Sequence, residues 1–165
     1  MATVADKLFK TRIDIDESAR EQLIDLLNQQ LADTFDVFSQ AKQAHWNVKG
    51  SDFFQLHELF DAVADAILPF VDMLAERVTT LGGVATGTVR MAAKASKQKE
   101  YPLDATSGKD HLENVRDRLA ALTASNRKAI EKSGDLGDPT TEDLFTEVSR
   151  TVDLQLYFVE SHLQG

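Results

Sequence analysis

His45, His57, Asp61, Asp72 and Glu76 fall within one stretch of chain, residues 45–76, at spacings a helix could use to bring them together. Carboxylate oxygens tolerate ferrous and ferric iron alike, and imidazole suits ferrous iron, so the mixture fits iron-oxidising chemistry. A thiolate site of the zinc-finger or copper(I) kind is excluded, because the chain has no cysteine. Zinc remains a competitor for the same His and carboxylate groups.

A helix from about Asp52 to Leu81, turning about 100° per residue, puts His57, Asp61, Asp65, Leu68, Asp72 and Glu76 on one face. Leu56, Phe60, Val63, Ile67, Phe70, Leu74 and Val78 form a separate apolar stripe about 145° away. The candidate ligands therefore face away from the chain's own core. His57 and Asp61 are one turn apart and can grip one metal, as can Asp72 and Glu76. The two pairs cannot share it, since the helix rises about 16 Å between Asp61 and Asp72. Either the chain carries two half-built sites, or a second copy completes each. Two copies antiparallel about a two-fold axis would lay one pair over the other and give two equivalent centres per dimer, the favoured expectation.

The elements that must position these groups read as helices. The first runs from about Asp16 or Ser18 to Val48, with Leu23, Leu27, Leu31, Phe35 and Phe38 turned inward and His45 ending the series Ile24, Leu31, Phe38, His45. Ser51 or Asp52 is expected to cap the second, which Gly82-Gly83 ends, and Pro69 inside it should bend the axis. A long connection from Gly82 to Gly108 holds a short helix around Val89 to Lys97. The third helix spans about Lys109 to Lys132, and the fourth Thr140 to Leu163, with Thr140 and Asp143 at capping-box spacing. There is no convincing strand or internal repeat. Four long amphipathic helices with one long crossover between the second and third give an all-α, ferritin-like four-helix bundle. The Glu-x-x-His motif that builds a metal site inside such a bundle is absent, for neither His111 nor His162 has a glutamate three residues before it.

A chain of 165 residues with 42% hydrophobic content suits one domain, residues 1–165, with 1–15 as a short mobile tail. Eighteen basic against 27 acidic residues leave a net charge of −9, which opposes attraction to DNA or anionic lipid and favours cations. No apolar run is long enough for a signal peptide or a membrane span, so cytoplasmic residence is the expectation.

The stretch QAHWNVKGSDFFQLHELFD followed by DMLAERVTTLGG resembles the Dps family, the miniferritins named for DNA-binding proteins from starved cells. LLNQQLADTF, EYPLD, DHLENVRDRLAAL, RKAIE and GDPTTEDLFTEVSR resemble the family in the same order, so the likeness covers essentially the whole chain. It implies a hollow homo-dodecamer with ferroxidase centres at its two-fold interfaces, storing ferric oxyhydroxide and using hydrogen peroxide as preferred oxidant. Carried over by position, His45, His57 and Asp61 would come from one subunit and Asp72 and Glu76 from its mate. Trp46 would be an electron donor beside the centre. Asp138, Asp143 and Glu147 would line acidic three-fold pores that admit iron. Asp143 and Glu147 are also one turn apart at a helix start, where three copies would concentrate cations. The chain departs from the family in carrying Tyr157 where tryptophan is frequent. It also lacks the lysine-rich tail of DNA-binding members, offering only Lys7, Lys10 and Arg12 beside Asp14, Asp16 and Glu17. DNA binding is accordingly expected to be weak or absent.

Blander readings stand beside these. A lone His45 on a helix stripe is more often a satisfied interface histidine than a ligand, and acidic pairs one turn apart are usually a solvated face. The acids near residue 140 could simply favour the positive end of a helix. A helical assembly without redox activity, or a shell that condenses DNA, are the alternatives to iron oxidation.

Overall fold

Apolar stripes of helical period decide where the chain turns. The computed structural model describes residues 8–164, which form α1 (Glu17–Asn47), α2 (Phe53–Thr80), α3 (Val89–Ala95), α4 (Gly108–Asp135) and α5 (Pro139–Ser161). Among the described residues there is no strand. Helices α1 and α2 form one hairpin and α4 and α5 another; α1 meets α4, α2 meets α5, and α3 lies against α1. This is an all-α four-helix bundle with the short helix in the long crossover.

All seven residues of the expected α2 stripe, from Leu56 to Val78, are buried. Opposite them sit Leu23, Leu27 and Leu31 of α1, Leu112, Val115, Leu119 and Leu122 of α4, and Phe145, Val148, Val152 and Val159 of α5. Phe35 and Phe38, expected inward, are only half-buried and stack on each other, while Val37, Ala41 and Ala44 take the enclosed positions. Helix α2 runs unbroken through Pro69, which is exposed.

Helix ends differ from expectation in instructive ways. Asp52 precedes α2 but its side chain makes no capping bond. Helix α4 starts with a reciprocal capping box between Ser107 and Asp110 and continues to Asp135. At α5 the cap is Asp138, whose carboxylate accepts from the Thr140 and Thr141 amides, and the proposed Thr140–Asp143 box does not form. Pro139 at the first helical position, lacking an N–H, leaves those two amides as the donors to be satisfied.

The crossover is pinned by polar groups of α1 and α4. Asp33, buried, accepts from the Lys97 amide at 2.7 Å and the Ser96 hydroxyl at 3.3 Å, and Asn28 bonds both the Val84 carbonyl and the Thr86 amide. Arg118 of α4 donates to Gln40 and to the Glu100 carbonyl. Residues 8–15, expected to be part of a mobile tail, are held to the bundle instead. The Phe9 amide donates to the Gly82 carbonyl at 2.7 Å, and Leu8, Ile13 and Ile15 pack on the core. Gly82 permits this contact: its φ of 90° is left-handed, and a Cβ there would collide with the Phe9 carbonyl. Lys7 lies outside the described residues.

Candidate metal centre

Because α1 and α2 are antiparallel, the end of one faces the start of the other, and that juxtaposition brings His45 to His57. Their rings stack with centroids 3.7 Å apart. Each Nδ1 lies against the other residue's backbone carbonyl, His45 Nδ1 to His57 at 2.8 Å and His57 Nδ1 to His45 at 2.9 Å. His45 occupies the last turn of α1, where carbonyls have no intrahelical donor, so its oxygen is free to accept. A carbonyl can only accept, so in the neutral rings Nδ1 carries the proton and Nε2 keeps its lone pair. Such a backbone bond to the remote nitrogen is how proteins fix the tautomer and orientation of a metal-binding imidazole.

Asp61, one turn after His57, approaches His45, with one carboxylate oxygen 3.8 Å from its Nδ1. Two imidazoles and one carboxylate with open positions are a donor set that suits ferrous iron. Lys42 of α1 forms an ion pair with Asp61. The Lys42 hydrogen bond is the main cause that holds the Asp61 carboxyl below its ordinary range, so a metal there would compete with an ammonium rather than a proton. Lys42 escaped the sequence analysis, although it stands three residues before His45 and so on the same face of α1.

Asp72 and Glu76 are exposed and do not reach this cluster. Among the described residues no three His, Asp or Glu groups come together to enclose a metal within one chain. Leu68, between the two α2 pairs, is 44% exposed on that same face. Trp46, next to His45, is 64% exposed.

The three acids proposed for a pore separate into two kinds. Asp143 and Glu147 are exposed on α5. Asp138 is not available to a pore surface: it is 1% exposed, caps α5, and is bonded through both carboxylate oxygens to the Arg77 guanidinium at 2.9 and 2.8 Å. Burial alone would raise its pKa, but the Thr141 and Arg77 hydrogen bonds outweigh burial and hold it below the ordinary carboxylate value. Its sequence position beside Pro139 carried the signal of a cap, and Arg77 on α2 supplied the partner that spacing could not show.

Comparison with known proteins gives this geometry its setting. A ferritin-like domain is matched over residues 24–165. The chain is 40% identical to the DNA protection during starvation protein of Agrobacterium fabrum, over 96% of this chain and 98% of that one. Among solved structures, DpsC from Streptomyces coelicolor superposes with a TM-score of 0.91 at 32% identity, covering 96% of this chain and 93% of its own. The Dps protein of Vibrio cholerae O1, described as a member of a superfamily of ferritin-like diiron-carboxylate proteins, superposes with a TM-score of 0.87 at 25% identity over 99% of both chains. The chain belongs to the Dps family of ferritin-like proteins.

Proposed function

We propose that this protein oxidises and stores iron, with each ferroxidase centre built from His45, His57 and Asp61 of one chain and Asp72 and Glu76 of a second. The observation that carries this reading is the reciprocal pair of histidine-to-carbonyl bonds, which occupies both Nδ1 atoms and leaves both Nε2 lone pairs unengaged, with the Asp61 carboxylate close to the His45 ring. A satisfied core histidine would need neither the partner ring nor the acid.

In this reading two ferrous ions are substrate. They give two electrons to one hydrogen peroxide, which takes up two protons and leaves as two waters. The ligands hold the ions and share their charge; Lys42 must swing off Asp61 as iron arrives. Ferric product is retained inside a dodecameric shell, and Asp143 and Glu147 draw cations toward its three-fold entrances. Removal of ferrous iron and peroxide together suppresses hydroxyl-radical formation. Zinc, with the same ligand taste, competes.

Anaerobic ferrous loading of the metal-free protein followed by stoichiometric peroxide tests this. Rapid ferric absorbance with iron kept soluble in an assembly of dodecamer size is the expected result. Oxidation no faster than a protein-free blank would overturn it.

The relative in Agrobacterium fabrum is named for DNA protection. We infer that protection here is chemical rather than by coating. The net charge is −9, and Lys10 and Arg12 sit on a stretch held to the bundle. Few phosphates can be neutralised, so little counterion release is gained. A clear mobility shift of plasmid DNA at near-physiological salt would contradict this.

A further inference from the structure

Tyr101 and His111 form a buried polar pair between the crossover and α4. Tyr101, at the end of the crossover, is 9% exposed, and His111, near the start of α4, is wholly enclosed. The phenol oxygen lies 2.6 Å from His111 Nδ1, and the two rings are nearly parallel at 5.9 Å between centroids. His111 Nε2 meets no partner with hydrogen-bond geometry, although the Asn47 backbone carbonyl is near enough to favour a proton on the ring. In the tautomer with its proton on Nε2, Nδ1 keeps its lone pair. The phenol then donates to Nδ1. Burial, outweighing Asp110 and the Asn47 carbonyl, holds the imidazole pKa below its ordinary value, which keeps that lone pair available.

Two neighbours of His111, Asn47 and Phe60, connect the pair to the segments that carry the proposed centre. Asn47 follows Trp46 directly in sequence. The Phe60 ring meets His111 edge-on at 6.4 Å, and Phe60 stands between His57 and Asp61 on α2. A phenol donating to an uncharged imidazole can lose its electron and its proton together, the proton moving along a bond already made. At neutral pH such a phenol is easier to oxidise than an indole.

We propose that Tyr101, with His111 as its proton acceptor, is an internal electron donor that refills Trp46 after one-electron oxidation. A one-electron oxidant such as hydroxyl radical removes an electron from the Trp46 indole, whose ring proton passes to water. Tyr101 supplies the replacement electron, its phenolic proton moves to His111 Nδ1, and the indole regains a proton from water. The products are intact Trp46, a Tyr101 phenoxyl radical and a His111 imidazolium. An electron from ferrous iron at the centre restores the phenol, the proton returns from His111, and the iron becomes ferric. Only this last step rests on the ferroxidase reading.

The chain has one tryptophan and two tyrosines, so Tyr157→Phe leaves Tyr101 as the sole phenol. Pulse radiolysis of that variant, metal-free and with azidyl radicals that oxidise indole preferentially, reads the transfer directly. The expected result is decay of the Trp46 radical matched by a rise of phenoxyl absorption, slower in deuterium oxide. Adding Tyr101→Phe should abolish the rise and prolong the indolyl radical. His111→Gln should slow it by roughly 100-fold, the low end for loss of a positioned proton acceptor. A Tyr101–His111 pair that only ties the crossover to α4 would show indolyl decay without phenoxyl formation, at one rate with or without Tyr101, and that would overturn the proposal. Should either buried substitution prevent folding, the phenoxyl rise and its isotope effect in Tyr157→Phe decide the matter alone. No iron is present, so failure here leaves the ferroxidase reading intact.

Discussion

His57→Ala combined with Asp61→Ala is expected to abolish peroxide-driven iron oxidation while leaving the fold intact. Loss of an outer-sphere partner alone typically costs metal sites 10–100-fold, so removing two ligands should lower the rate by at least about 100-fold. Stability should hardly change. The Asp61 side chain is 38% exposed, and its ion pair with Lys42 is of the surface kind worth about 1 kcal/mol or less. Neither residue belongs to the buried α2 stripe. Stopped-flow ferric absorbance and a urea melt on the same preparation separate the two effects. Unchanged oxidation would show that the assignment of these ligands is wrong.

Asp138→Ala is expected to do the reverse. The carboxylate is enclosed, caps α5 and neutralises Arg77, whose side chain is itself only 14% exposed. Removing it strands a largely buried guanidinium and two helix-start amides, at a cost of about 3 kcal/mol. Asp138→Asn, which keeps an acceptor for the amides but loses the charge, should fall between. The sign of the pH dependence follows from the lowered folded-state pKa. The stabilisation is fully present above the unfolded carboxylate value of about 4, and is lost as pH falls through the lower folded value. Wild type and Asp138→Asn should therefore converge in urea midpoint as the solution is acidified below that range. Equal midpoints at neutral pH would mean that Asp138 carries no structural load and would return it to the pore.

The contrast between Asp138 and its neighbours shows where sequence reasoning reaches. Helical period fixes which α2 residues are buried, because a stripe of seven apolar groups leaves one way to fold the helix inward, and the ligand face follows by subtraction. The separation of Asp61 from Asp72 is a matter of helical rise, so the sequence alone already says that the two pairs cannot share one metal within a chain. Partners across the bundle were not legible. Arg77 meets Asp138, Lys42 meets Asp61, and Tyr101 meets His111 only after helices from distant segments pack, and no local spacing encodes such pairs. Cap identity at α5 was misread for a related reason. Thr140 and Asp143 had the spacing of a capping box, but Asp138 precedes Pro139 and reached the free amides first. The attachment of residues 8–15 depended on one left-handed glycine, Gly82, whose role appears only when the backbone it touches is in place.

The sharing of each centre between two chains is tested most directly by mixing two inactive forms. One chain carries His57→Ala and Asp61→Ala, the other Asp72→Ala and Glu76→Ala, and the two are co-expressed in equal amounts. In a mixed two-fold pair one centre loses all four groups and the other keeps every ligand, so random pairing should restore about a quarter of wild-type centres. Ferrous oxidation by peroxide at about that level, with both parents inactive, is the expected outcome. Mixed assemblies no more active than either parent would contradict a centre built from two chains.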